Sequence, residues 1–491
     1  MKKLVIFGLT VLVGCGGGGS NNTTTPVSKQ GVTSTTTTVA TSTNNMVSTT
    51  VPTVSVPTDV SQISYPSSYQ NTVTLVDANA FCDIDNSVVT YPLSWNGPQT
   101  LPYVTGNSLN KNLLRSIVVN DITPKTTYTS NTSITTSCPT PDNVTEFSRT
   151  VTRLKSLGVD VVQIARYYNA IQNNDGSYTF TPDTKNSLSD SEFASEVNIA
   201  HAAGIKVQVT NAILCCVNSN GQNISTPAGN TQNYSYWLNS LQTYMVNQAN
   251  TMQSLNVDIW QMDCPCLYSD KGDGSTQSIQ QFVTAYENII KSVSSVYTGK
   301  KFVVDNSLLD NSAYILSKID YVMAYANYPY WISNPASTDS NLTVDTVKQD
   351  YATAYMVSNW TDLSAKYNKP LIIYGDVQSR KNYLSQPGYM EEYMCENTIG
   401  GVTFPMGTTS PTGSNTCIEL NTTPAFNEQA IIIEAMLETI NSATLPTGSI
   451  VQIDGYFSDD FMSMNGPTFP AIGRSIRNKP AEGIVKQWFM R

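Results

Sequence analysis

Eight short β-rich runs recur along most of the chain, each separated from the next by a stretch of helical length, and this recurrence constrains the fold more than any other feature. The runs are Ser116 to Val119, Val159 to Ile164, Ile205 to Val209, Val257 to Met262, Lys301 to Val304, Tyr321 to Ala324, Pro370 to Tyr374 and Ile450 to Asp454. They are largely apolar rather than strictly alternating, the pattern of strands buried on both faces. Strands of that kind lie parallel and are joined by helical crossovers, so the expected fold is α/β, a closed (β/α)8 TIM barrel with a β-rich N-terminal extension. An open doubly wound sheet is the competing arrangement. It usually carries a Gly-rich phosphate turn after its first strand, and none is present.

Helix signals punctuate the runs. Helices are expected over Val144 to Leu157, Ser189 to Ala203, Tyr236 to Leu255, Thr276 to Val296, Ala313 to Lys318, Thr346 to Tyr367 and Glu428 to Asn441. Gly158 and Gly204 fit as C-terminal stops, and Ser189-Asp190-Ser191-Glu192 as a start with carboxylates in the first turn. The stretch from Lys381 to about Pro424 reads as a loop that Cys395 and Cys417 close on itself.

The N-terminal region has other physics. Lys2 and Lys3 precede an apolar stretch, Leu4 to Val13, too short to span a bilayer, and Leu12-Val13-Gly14-Cys15 resembles the bacterial lipobox. Residues 1–15 are therefore expected to be a lipoprotein signal peptide with Cys15 as the lipidated residue. Gly16 is not the Asp of an inner-membrane retention signal, so the expected location is the outer membrane, with the lipid anchor as the sole membrane contact. Residues 16–64 are Gly, Ser, Thr, Asn and Val with almost no charge, and read as a flexible tether. Residues 65–110 read as a small β-rich extension, and 111–491 as the barrel. Eight cysteines remain besides Cys15, an even set that points to disulfides in an oxidising compartment; zinc on Cys215, Cys216, Cys264 and Cys266 is the competing reading, though structural zinc usually uses two-to-four-residue gaps between paired cysteines. With Lys+Arg 27 against Asp+Glu 37 the chain repels phosphate backbones, which argues against a nucleic-acid partner.

In such barrels chemistry sits where strands hand over to helices. Those ends carry Arg166, Tyr167, Asn211, Trp260, Asp263, Asp305, Tyr325, Tyr328, Trp331, Asp376, Asp454 and Tyr456. Carboxylates, amides and aromatic rings on one rim suit a sugar, with acids for the glycosidic oxygen and rings for apolar sugar faces. The one histidine, His201, lies inside a helix, which excludes Ser-His-Asp catalysis and His-ligated metals. No metal or other cofactor is implied.

Leu157-Gly158-Val159-Asp160-Val161-Val162-Gln163-Ile164-Ala165-Arg166, Ala202-Ala203-Gly204-Ile205-Lys206-Val207, Ile319-Asp320-Tyr321-Val322-Met323-Ala324-Tyr325 and Lys369-Pro370-Leu371-Ile372-Ile373 resemble the barrel landmarks of clan A glycoside hydrolases, of the family 53 and family 113 type. The resemblance covers roughly Ser116 to Phe489. It implies a polysaccharide-cutting enzyme with an acid/base Glu at the end of the fourth strand and a nucleophilic Glu at the end of the seventh. This chain has Asp263 and Asp376 there instead. Under the same resemblance Arg166 matches an arginine that supports the nucleophile, Tyr325 a sixth-strand tyrosine, and Tyr456-Phe457 an aromatic platform. Asp is one methylene shorter than Glu, so two Asp on an unchanged frame stand farther apart, toward the roughly 6.5–9.5 Å of inverting enzymes.

Asp263 and Asp376 are thus the expected catalytic pair, with Asp263 as general acid and Trp260 and Met262 desolvating it; Asp305 and Asp454 are alternative acids. Arg166, Tyr167, Asn211, Trp260, Asp305, Tyr325, Tyr328, Trp331, Asp454 and Tyr456 are expected to bind substrate. The expected protein is an exported, monomeric glycoside hydrolase acting on a carbohydrate. The alternative is a catalytically inactive barrel that binds glycans at a surface.

Overall fold

The computed structural model describes residues 108–120, 127–129, 135–137, 143–183, 187–218, 231–262, 276–326, 337–338, 340–354, 356–379, 393–399, 402–407, 416–419, 426–457, 476 and 480–490. The leader with Cys15, the tether and most of the N-terminal extension lie outside them. Eight parallel strands close the barrel: β1 (Leu114–Asn120), β4 (Val161–Gln172), β6 (Lys206–Asn218), β7 (Ile259–Gln261), β8 (Lys300–Val303), β9 (Tyr321–Tyr325), β10 (Leu371–Gly375) and β14 (Ile450–Phe457). They pair in chain order, and β1 completes the ring by pairing with both β14 and β4. The fold is a (β/α)8 TIM barrel.

The apolar strands serve two cores at once. Val161, Ile259, Phe302, Met323, Ile372 and Ile450 pack inside the barrel. Their neighbours Val162, Trp260, Val303, Val322, Ile373 and Val451 pack outward with the helices. Strand side chains alternate with period two, so a strand filling both layers is apolar at nearly every position.

The helices are α1 (Asn143–Ser156), α2 (Asp190–Ala202), α3 (Thr231–Ser254), α4 (Thr276–Ser294), α5 (Asn306–Asn311), α6 (Ala313–Lys318), α7 (Val344–Thr353), α8 (Met356–Tyr367), α9 (Phe426–Ser442) and α10 (Pro480–Phe489); α1 to α4, α6 and α9 fall where expected, and α5 and α10 are additional. Ser189 and Glu192 form a reciprocal capping box at the start of α2. Gly158 has φ +84, and a Cβ there would stand 2.5 Å from the Phe489 carbonyl oxygen, so glycine is required where α10 crosses the end of α1. Arg153 on α1 and Glu482 on α10 form a buried two-pronged ion pair at 2.6 and 2.5 Å, which ties the last helix to the first.

Four expectations are corrected. The second and third strands run well past Ile164 and Val209, to Gln172 and Asn218, and β5 (Tyr178–Pro182) folds back antiparallel on β4. This hairpin lays Tyr178 and Phe180 on Trp237 of α3, with ring centroids 4.8 and 5.3 Å apart. The single helix expected over Thr346 to Tyr367 is two, and Tyr351 and Trp360 donate to the carbonyls of Ala326 and Tyr325. The region 381–424 is not all loop. It holds an antiparallel sheet of β11 (Tyr393–Ile399), β12 (Val402–Gly407) and β13 (Thr416–Glu419). Two short strands, β2 (Thr127–Thr129) and β3 (Thr135–Ser137), pair separately after β1. Among the described residues no helix is long and apolar enough to cross a membrane.

Candidate active site

The upper lumen is built from inward positions of successive strands. Gln163, Gln208 and Gln452, from β4, β6 and β14, form a buried amide ring. Gln208 donates to Gln163 and Gln452 at 3.0 Å each, and Gln452 donates to Gln163. On β10 the inward set is Ile372, Tyr374 and then Asp376, which follows directly on the strand and is half-buried. The Tyr374 hydroxyl donates to Asp454 on the neighbouring strand, and both side chains are buried. Tyr325 of β9 meets the Tyr374 ring edge-on at 6.2 Å. One wall of the lumen thus presents two carboxylates and two phenols.

Local sequence explains the wall. Tyr374 and Tyr325 are register partners, as are Gly375 and Ile453, so Asp376 and Asp454 stand one step further along adjacent strands. A Cβ at Gly375 would lie 2.3 Å from Met436 Sδ, so glycine lets α9 pack tightly behind the strand just before Asp376. In β14 the register against β1 shifts between Ile453 and Tyr456, and Gly455 takes φ +106. This is a β-bulge with glycine at positive φ, a device that re-aims neighbouring side chains.

The opposite corner differs. Arg166, expected to support a nucleophile, lies on the outer face of β4 under α2. It is fully buried, donates to Asp190 at 2.5 Å, and stacks over Phe193 at 4.5 Å and Tyr168 at 5.2 Å. Its register partner Asn211 is buried and reaches Gln248 of α3 at 3.5 Å. Because β4 and β6 continue beyond these residues, neither is at a strand end. Tyr168 donates to the same Gln248, and burial, opposed in part by the Arg166 charge, pushes its phenol up to about 12. Burial likewise holds Tyr244, beside it at 5.1 Å, well above the usual range.

The other candidates divide. Trp260 is fully buried in the outer layer, edge-on to Tyr297 at 5.6 Å, and is a packing residue there. Asp305 caps α5, accepting from the Ser307 N–H at 2.8 Å. Tyr167 is half-buried on the inward side of β4 and its N–H donates to Ser187. The backbone of Tyr456 belongs to β14. Asp263, Tyr328 and Trp331 lie outside the described residues. His201 sits at the opposite end of the barrel, 3.0 Å from Asp258, where a cavity of about 320 Å³ opens among Lys206, Asp258, Lys300 and Tyr321. That end is remote from the strand C-termini. Among the described residues no group of three or more His, Cys, Asp and Glu is placed to hold a metal ion.

The amide ring and Tyr374 went unassigned in the sequence, though a signal exists. Val162-Gln163-Ile164, Val207-Gln208-Val209, Trp260-Gln261-Met262 and Val451-Gln452-Ile453 each place one glutamine between apolar residues of a barrel strand.

Residues 143–387 match the model of Glycoside Hydrolase Family 113. The family 113 match thus begins with α1 and ends beyond Asp376. Among solved structures the chain is similar to a GH113 β-1,4-mannanase, at 14% identity over 78% of this chain and 100% of that one, with a TM-score of 0.45. It is also similar to the GH113 β-mannanase of Alicyclobacillus acidocaldarius, at 15% identity over 77% and 97%, with a TM-score of 0.43. Two fungal β-1,4-galactanases are represented too, at 12% identity over 77% and 99%, with a TM-score of 0.41. No curated protein sequence matches the chain.

Proposed function

We propose that the chain is a glycoside hydrolase that cuts a polysaccharide at the C-terminal mouth of the barrel with the carboxylates of Asp263 and Asp376. The observation that carries this reading is the family 113 match over 143–387, which spans both positions. The lumen supports it with Asp376 on the inward face above Tyr374. One carboxylic acid protonates the glycosidic oxygen as the bond to the anomeric carbon breaks. The other carboxylate takes a proton from the attacking water, or attacks that carbon itself. Asp454, Tyr374 and Tyr325 form the wall against which the sugar is held. Export as a monomeric lipoprotein anchored through Cys15 belongs to the same proposal; palmitate labelling that survives Cys15→Ala contradicts that part.

The test is release of reducing ends from β-1,4-mannan and β-1,4-galactan, the polymers named for the similar structures, followed by a broad glycan panel. Wild type is expected to turn over at least one polymer, and Asp376→Asn to lower kcat about a thousandfold with the fold intact. Saturable binding without turnover identifies a glycan-binding module instead.

A further inference from the structure

The sheet inserted between Asp376 and α9 brings two cysteines to one register position. β11 and β13 run antiparallel with Met394 opposite Ile418, Cys395 opposite Cys417 and Glu396 opposite Thr416. Residues directly opposed in an antiparallel pair share one face of the sheet, with Cα atoms about 4.5–5.5 Å apart. Disulfides span Cα separations of about 4.4–6.8 Å. The register therefore meets the geometric condition, and a slip of one residue would remove it by sending the two positions to opposite faces.

We propose that Cys395 and Cys417 are joined by a disulfide that staples β11 to β13 and encloses β12 in the loop. A sheet of three short strands buries little apolar surface by itself, so a covalent tie between its central strand β11 and the edge strand β13 stabilises the insertion. The bond forms by exchange with an external disulfide, either a protein dithiol oxidase or oxidised glutathione. One thiolate attacks that disulfide and expels a thiolate. The second cysteine, as thiolate, then attacks the mixed disulfide and expels the other. The two cysteines lose two electrons and two protons in all, and the external disulfide is reduced to two thiols. This inference does not depend on the hydrolase reading.

The full chain, produced in an oxidising compartment and alkylated without reduction, is cut after glutamate and analysed by mass spectrometry. Cleavage at Glu392, Glu396 and Glu419 separates Tyr393–Glu396 from Asn397–Glu419. The expected product is these two peptides linked, two hydrogens lighter than their sum and lost on reduction. Cys417→Ser should leave Cys395 open to alkylation. Both peptides recovered alkylated and unlinked, or either cysteine joined to Cys215, Cys216, Cys264 or Cys266, overturns the proposal.

Discussion

The corner formed by β4 and β6 and the wall formed by β9, β10 and β14 hold similar residue types and use them oppositely. At the corner the polar groups Arg166 and Asn211 point outward beneath α2 and α3 and are spent on Asp190 and Gln248. On the wall Asp376, Asp454, Tyr374 and Tyr325 lie on the lumen side, above the apolar plug of Ile372 and Met323. A shift of one position along a strand decides between the two fates. Polar residues in barrel strands therefore divide into scaffold and site by face, not by chemistry.

The contrast can be broken from either side. Arg166→Ala empties a fully buried space and deletes its ion pair. It should lower unfolding stability by about 2–4 kcal/mol, read by urea denaturation. Tyr374→Phe withdraws a hydroxyl from the buried Asp454 carboxylate. A loss of about 1–3 kcal/mol is expected, together with reduced turnover, a combination the corner should not show. Asp305→Ala removes the cap of α5 and should cost about 1 kcal/mol with turnover unchanged; a large loss of turnover would return Asp305 to the site.

The smallest effect is at alkaline pH. Burial raises the Tyr168 phenol to about 12, with Arg166 opposing, whereas the unfolded chain titrates it near about 10. Its contribution is complete below the unfolded value and disappears as pH rises from there through the folded value, because the folded state alone still holds the proton. Tyr168→Phe should flatten the fall in melting temperature across that window.

The fold was legible because eight apolar runs and their helix caps are local signals, each written in a few consecutive residues. Face was less so. Reading Arg166 and Asn211 as rim residues follows from ending their strands at Ile164 and Val209, whereas pairing with β5 and with each other carries β4 and β6 onward. Tyr374 carries no special spacing, and its partner Asp454 is 80 residues away. The sheet holding Cys395 and Cys417 was hidden for a similar reason, since long-range pairing, not periodicity, defines it.

The central claim is that Asp376, on the β10 and β14 wall, takes part in the proposed chemistry while the β4 and β6 corner carries structure. Reducing-end release by wild type, Asp376→Asn and Arg166→Ala, measured on one responsive glycan at a temperature where circular dichroism shows all three folded, tests it directly. The account predicts about a thousandfold loss of kcat for Asp376→Asn and kcat/KM within about threefold of wild type for Arg166→Ala. Full activity in Asp376→Asn, or its collapse in folded Arg166→Ala, would contradict it.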